Sequence, residues 1–293
     1  MTIAYVSTTA DQQLVNVTQS AGLFAKYGVN ATVKFLQQSA FQPALASGQV
    51  QFGLVSAPAA ALATINGSPN IWVAQFESTL NLSLVASAKI KTLADLNGGS
   101  IAISSSGGSS DLLAQLAIQQ GNISAHEVPL GNLQNDETAL IGGQVDAAIL
   151  GPPLTYNVQA KIPGAHTLID FGTQKDSLPG LGLVAYGDYL NKSENAATIE
   201  KVLHALVDGV AYFKANPVPV KAIIKKAAGS ESDADVTKAY DAAAALLQDD
   251  ATPVTETQQK LLTVLEGKYP KAKGFDPNKL VNQTFMKAVL AGR

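Results

Sequence analysis

The sequence predicts an α/β fold in two related lobes, each a mainly parallel sheet flanked by helices. Three observations carry this expectation. Short β-branched or apolar runs alternate with helix-length segments over residues 1–190, as in strand–helix–strand units that build parallel sheets. A pattern occurs twice, at 44–55 and 139–150: a helix end, an Ala-Leu-x-x-Gly-Gln-Val link and a buried strand, followed by Ser56-Ala57-Pro58 or Gly151-Pro152-Pro153. Two copies of such a unit fit two lobes better than a many-repeat solenoid, although Ala-Leu-x-x-Gly is also common helix-to-strand punctuation. Finally, 293 residues are about two domains of ~150.

Taken in order, residues 3–6 read as a strand and 11–21 as a helix. Residues 31–36 alternate in polarity as a strand does, 41–47 form a short helix stopped by Gly48, and 52–55 are a buried strand. Pro58 opens the next helix, where its missing N–H does no harm, and Gly67 closes it before the strand 71–76. The pattern then restarts. Residues 82–86 are extended, 93–96 are one helical turn, 101–104 a strand and 109–120 a helix. The strand 127–130, the helix 133–141 and the strand 147–150 follow. Pro152-Pro153 begins another helix, and 167–171 is the last strand. From Ala196 onward only helices are expected, over 198–215, 219–228, 233–247, 256–269 and 277–290, separated by Pro, Gly or Asp-Asp breaks.

Composition narrows the function. The chain is 46% apolar and only 15% charged, with 20 Lys+Arg against 23 Asp+Glu and a net charge of −3, which excludes a basic nucleic-acid binder. Its only arginine is Arg293, so an anion held in the folded body is held without a guanidinium fork. Cysteine is absent, which excludes disulfides, thiolate catalysis and iron–sulfur clusters. His126, His166 and His204 are far apart in sequence, and no metal site is expected of them. No apolar run reaches the ~18 residues of a membrane span. Met1 leads directly into a strand, so the chain is either cytoplasmic or begins where an export signal ended.

In open α/β sheets ligands sit beyond the carboxyl ends of the strands. The residues expected there are Ser7-Thr8-Thr9, Gln37 to Ala40 with Ser39, Ser56-Ala57-Pro58, Glu77-Ser78-Thr79, the run Ser104 to Ser110, and Gly151-Pro152-Pro153. They are hydroxyls, amides and small residues with one strong charge, Glu77; Asp11 reads as a helix N-cap. No nucleophile–histidine–acid set falls in these loops, so they look built for binding and not for bond breaking. The clearest local signal is Ser105, Ser106, Gly107, Ser109 and Ser110 leading into a helix, where free N–H groups favour an anionic or polar group. It lacks both the Lys-Ser/Thr end of a Walker loop and GxGxxG; the plainer alternative is a flexible loop with Ser110 as N-cap. Phe41 and Phe76 lie beside the loops and join the ligand-binding candidates, as does Tyr156 in position, though core packing is the commoner fate of such rings. Trp72 reads as core.

With these residues in view, the sequence resembles the type II periplasmic substrate-binding proteins of ABC importers, in the nitrate/sulfonate/taurine and thiamine-pyrimidine-precursor branch. The resemblance rests on Ile3-Ala4-Tyr5, Gly22-Leu23-Phe24-Ala25-Lys26-Tyr27-Gly28-Val29, Ala44-Leu45 with Gly48-Gln49-Val50, Lys91-Thr92-Leu93-Ala94-Asp95-Leu96-Asn97-Gly98, Ser104 to Ser109, and Leu140 with Gly143-Gln144-Val145-Asp146-Ala147. It implies a two-lobe periplasmic-binding-protein fold with a ligand cleft between lobes. Residues 1–80 and 187–293 would form lobe one and 81–186 lobe two, with crossings near 79–86 and 180–187. By position it implies a pocket of Thr8, Thr9, Ser39, Ser56, Ala57, Glu77, the Ser105–Ser110 helix start and Pro152. The implied function is that of a monomeric receptor in the periplasm or another extracytoplasmic space, its signal peptide removed. It would close on a small organic molecule and deliver it to a membrane permease, without metal, cofactor or nucleic acid. Lacking a cleft arginine, the sequence departs from the anion-clamping members: nitrate-like ligands fit poorly, whereas an organosulfonate held by N–H groups and hydroxyls, or a heterocycle held by Glu77, fits. One rival is a thiamine-pyrimidine synthase on the same fold, which calls for a cysteine-rich motif and a histidine–lysine site. Another is a ligand-sensing domain.

Overall fold

In the computed structural model, which describes residues 1–174, 178–230 and 232–292, the short apolar runs condense into two five-stranded sheets. Arg293 lies outside the described residues. The strands are β1 (Thr2–Tyr5), β2 (Thr32–Phe35), β3 (Phe52–Ser56), β4 (Asn70–Gln75), β5 (Ser83–Ala86), β6 (Ser100–Ile103), β7 (His126–Pro129), β8 (Ala147–Leu150), β9 (His166–Asp170) and β10 (Leu181–Tyr186). The helices are α1 (Leu14–Ser20), α2 (Leu23–Lys26), α3 (Gln38–Ala46), α4 (Ala57–Ile65), α5 (Ser109–Gly121), α6 (Leu133–Ile141), α7 (Leu154–Lys161), α8 (Gly187–Leu190), α9 (Ala196–Ala215), α10 (Pro217–Ala228), α11 (Asp233–Leu246), α12 (Thr255–Glu266) and α13 (Thr284–Ala291).

The first sheet has the order β2-β1-β3-β10-β4 and the second β7-β6-β8-β5-β9. Each has one reversed strand. β10 runs antiparallel to β3 and β4, and β5 antiparallel to β8 and β9, while β1, β2 and β3 pair in parallel, as do β6, β7 and β8. In chain order β5 follows β4 and β10 follows β9. Each sheet therefore receives its reversed strand from a segment that has just left the other sheet. The two crossings run side by side: Leu80 N–H donates to Leu178 O at 2.7 Å and Phe76 N–H to Leu181 O at 2.8 Å. Gly180 is required there, because a Cβ on it would lie 2.2 Å from Thr79 O.

Two expectations need correction. The strands do not end with 167–171, and residues 181–186 do not stay with the second lobe. They form β10, between β3 and β4 of the first sheet. The run Leu-Gly-Leu-Val-Ala-Tyr can lie there because Gly182 passes the Trp72 ring, whose Cε2 would be 2.9 Å from an added Cβ. Nor is 277–290 one helix. A 3-10 turn at Pro277–Leu280 gives way to Val281, which bridges to Trp72 before α13 begins.

Period-two alternation buries both faces of the first sheet. Ile3, Phe52, Leu54, Val73 and Leu183 pack under α1, α9 and α13, and Ala4, Val55, Trp72 and Val184 under the α3 and α4 side. Each Val, Leu, Ile or Phe among them contributes about 1.5–3 kcal/mol when fully buried. The core on the second face is continuous with that of the second sheet, joining Val6 and Phe41 to Ile101, Ala148 and Leu154. Among the described residues no helix is long and apolar enough to cross a membrane.

Candidate functional site

The carboxyl ends of β1, β3 and β6 meet along a seam between the sheets. It encloses about 60 Å³ and is lined by Ser7, Thr9, Asp11, Gln12, Gln38, Ser56, Asn81, Ser104, Ser109 and Ser110, with Val6, Leu80, Leu82, Leu133 and Leu181 as its apolar walls. Gln38 and Ser104 also line an outer groove of about 550 Å³, together with Ser39, Gln42, Asn66, Ser105, Ser106 and Gly107. The elements facing one another already touch: the Ser56 and Ser109 hydroxyls are hydrogen-bonded across the seam, and Ala10 N–H donates to Pro152 O at 3.0 Å.

Each half of the seam is held by local bonds that its sequence supplies. Thr9 N–H donates to Ser7 Oγ at 3.2 Å, Val6 N–H to Gln12 Oε1 at 3.3 Å, and Gln13 Nε2 to Thr9 O at 3.2 Å. Across the seam, Ser110 Oγ accepts from Ser104 N–H at 2.9 Å and bonds the Ser104 hydroxyl at 2.8 Å. No side chain caps α5, whose N-cap is Gly108. Ser110 is therefore inside the helix and folds back on the loop, leaving the helix start to face the seam.

Among the described lining residues the ionisable side chain is Asp11. It starts a 3-10 turn, and Ala10 occupies the cap position without a side-chain bond, so Asp11 is not the N-cap read from the sequence. Burial pushes its carboxyl up, while the Thr9 side chain and the Gln12 backbone pull it down. Glu77 does not line the seam. It is 1% exposed at the crossing, where its N–H donates to Leu181 O at 3.1 Å and its Oε1 has no hydrogen-bond partner. Burial first, and then the Asp11 charge, raise it well above the usual carboxylate range, which disfavours its charged form.

Of the other candidates, Thr9, Ser56, Ser109 and Ser110 are brought together in the seam, and Ser39, Ser105, Ser106 and Gly107 in the outer groove. Phe41 and Phe76 are 0% exposed core residues; Phe41 covers Gly53, whose added Cβ would meet its ring at 2.1 Å. Ala57 is buried at the start of α4 and donates its N–H to Gly180 O at 3.0 Å. Thr8 is half-buried, with an unpartnered Oγ1. Pro152 lines a separate groove with Thr155, Tyr156 and Asp170. Sequence reasoning missed Gln12, Asn81 and the apolar walls as site residues. Gln12 carried a usable signal, a polar side chain one residue past the β1 loop, but Asn81 carried none, since its place depends on how the crossings pair. His126 begins β7, His166 bonds Gly164 O in its own turn, and His204 stacks on Tyr27 at 5.3 Å; none lines the seam. No lysine lines the seam or the outer groove among the described residues.

Residues 14–220 match the NMT1/THI5 like family model, and the chain belongs to that family. Among curated proteins nothing matches. Solved structures resemble it over nearly the full chain. A protein from Bordetella bronchiseptica RB50 is 17% identical, with a TM-score of 0.85 over 99% of this chain and 96% of that one. The periplasmic nitrate-binding protein NrtA from Synechocystis PCC 6803 is 12% identical, with a TM-score of 0.80 over 99% and 88%. The periplasmic aliphatic sulphonate-binding protein SsuA from Escherichia coli is 18% identical, with a TM-score of 0.72 over 97% and 92%. The fold is the two-lobe periplasmic-binding-protein fold.

Proposed function

We propose that this chain is the extracytoplasmic receptor of an ABC importer, a monomer that closes its lobes on a small organic molecule and presents it to a membrane permease. One observation carries the reading: the seam takes its polar lining from strand ends of both sheets, so a ligand there is enclosed only by bringing the lobes together. The lining is hydroxyl, amide and one carboxylate, without a paired nucleophile and base, which supports binding without bond breaking. Sulfonate- and nitrate-binding proteins share the fold.

Asp11 narrows the ligand. A carboxyl group at the seam, with no lysine along its lining among the described residues, repels a small bare anion when ionised and favours a molecule that points a donor or cationic nitrogen at it. An organosulfonate would have to place its head on the α5 start, away from Asp11. A micromolar ligand corresponds to about −8 kcal/mol, within reach of several buried hydrogen bonds. Thermal-shift screening of organosulfonates, amino-substituted heterocycles and aromatic acids, followed by calorimetry, tests the reading. A stabilising heterocycle supports it, a sulfonate binder would correct the ligand class, and no stabilisation by any member would overturn it.

A further inference from the structure

The serine–glycine loop is fastened to the opposite lobe through one carboxylate. Asp111, in the first turn of α5, has a side chain only 4% exposed. Its Oδ2 accepts from Gly107 N–H at 2.6 Å and from the Tyr269 hydroxyl at 3.2 Å; its Oδ1 accepts from Lys268 Nζ at 2.8 Å and from Gln115 Nε2 at 3.2 Å. Gln115 also holds Glu127 at 2.9 Å. Two of these donors, Gly107 and Gln115, belong to the second lobe. The other two follow α12, which packs on α4 beside the first sheet, and α4 in turn touches α5. Lys268 also lies 5.2 Å from the centre of the Tyr269 ring, so the ammonium and the phenol approach the carboxylate as a unit.

The Asp111 carboxylate is more deeply buried than that of any other described ion pair, the next being 16–21% exposed. Lys214–Asp249 and Lys225–Asp233 each have a carboxylate that is at least 80% exposed, and such pairs contribute little. Asp111 is buried, and Lys268 is about one-third exposed. Opening the lobes would remove both first-lobe donors and leave the carboxylate short of partners, which is costly in a dry site. Burial pushes Asp111 up, but its bonds with Glu127, Lys268 and Gly107 outweigh that and hold it below the usual range.

We infer that Asp111 is a positioning residue: it sets the Gly107 amide of the serine–glycine loop and, through Lys268 and Tyr269, makes that setting conditional on lobe closure. The inference rests on the reading of the seam as the ligand site. A ligand that touches the loop then senses closure through a contact outside its own pocket, and closure pre-orders the loop.

Because the chain has no cysteine, Gln49→Cys and Gln120→Cys, at exposed positions on opposite lobes, provide the only two spin-label sites. Pulsed electron paramagnetic resonance on the ligand-free chain then reads the interlobe distance. Lys268→Met and Tyr269→Phe are expected to broaden the distribution toward longer distances, and Asp111→Asn to do the same. Lys268→Arg should retain the parent distribution, and Lys214→Met, which breaks an ion pair within the first lobe, should also leave it unchanged. Hydrogen exchange in the peptide spanning Ser104–Leu112 should speed up about tenfold in Lys268→Met, a change that loss of surface packing elsewhere would not produce. If Asp111→Asn fails to fold by circular dichroism, the two first-lobe variants carry the test. Unchanged distances and exchange in those variants would overturn the inference. Since no ligand is used, a failed ligand screen leaves this test standing, and a failed latch leaves the receptor reading untouched.

Discussion

In the first sheet β3 carries Gly53 with the Phe41 ring of α3 against it; in the second sheet, the repeat that relates Ala44 to Ala139 puts Ala148 of β8 in place of Gly53 and Asp136 of α6 in place of Phe41. The same strand order thus supports two solutions to one packing problem. The first lobe removes a methyl to admit a ring. The second keeps the methyl and buries an acid that is 0% exposed, with neither oxygen partnered. The seam divides similarly: the first lobe brings Asp11, Gln12 and Gln38, the second sheet's loops bring Ser104, Ser109, Ser110 and Leu133, and Asn81 comes from the crossing into the second sheet. The lobe with the ring-packed sheet also holds the carboxyl group of the seam, and the other supplies hydroxyls and the Asp111 that Lys268 and Tyr269 reach.

The widest expected effect is at Asp136. Burial raises its carboxyl from 3.8 to about 8, so between those values the folded chain keeps a proton that the unfolded chain releases. Stability therefore falls as pH rises through that window and levels off above it, a contribution on the order of 6 kcal/mol. Asp136→Asn should flatten this dependence, seen as urea midpoints measured from pH 4 to 8; an unchanged slope would remove the acid from the comparison. Next, Gly53→Ala should cost about 3 kcal/mol, since a Phe41 ring fixed in the core must move, against about 1 kcal/mol for Ala148→Gly. Chemical denaturation of the pair tests whether the two sheets really pack differently.

At the seam, Asp11→Asn should weaken a nitrogen-bearing ligand by about 1.5–3 kcal/mol, and Ser109→Ala by about 1 kcal/mol, measured by calorimetry. The reverse order would move recognition to the second lobe. The smallest effect belongs to Lys214→Met, which removes an exposed pair at 2.8 Å and should change stability by less than about 0.5 kcal/mol.

Much of the fold was legible locally. The helices over 133–141 and 233–246 and the strands at 52–56 and 147–150 lie where period and punctuation put them, because side-chain alternation and Gly or Pro stops act over a few residues. β10 was not legible: Leu181–Tyr186 is apolar on both faces and looks like nothing in particular until β3 and β4 are placed on either side of it. The same holds at the site. Thr9, Ser56, Ser109 and Ser110 could be found as residues following strands, but the exchange of roles between Asp11 and Glu77 could not. Glu77 sits where the crossings pair, and that pairing removes it from the surface while Asp11 stays beside the seam.

By itself the sequence determined an α/β chain in two related halves, strand-end loops of hydroxyls and amides, and a body whose one arginine is Arg293. Those properties follow from composition, from short-range periodicity and from which residue types follow each strand. Only the tertiary structure decided that each sheet takes its reversed strand from the other's chain, that Asp11 and not Glu77 faces the seam, and that Lys268 reaches Asp111 across 157 residues of sequence. These depend on long-range pairing and burial, whose energies belong to the whole packed molecule and leave no mark on the neighbouring residues.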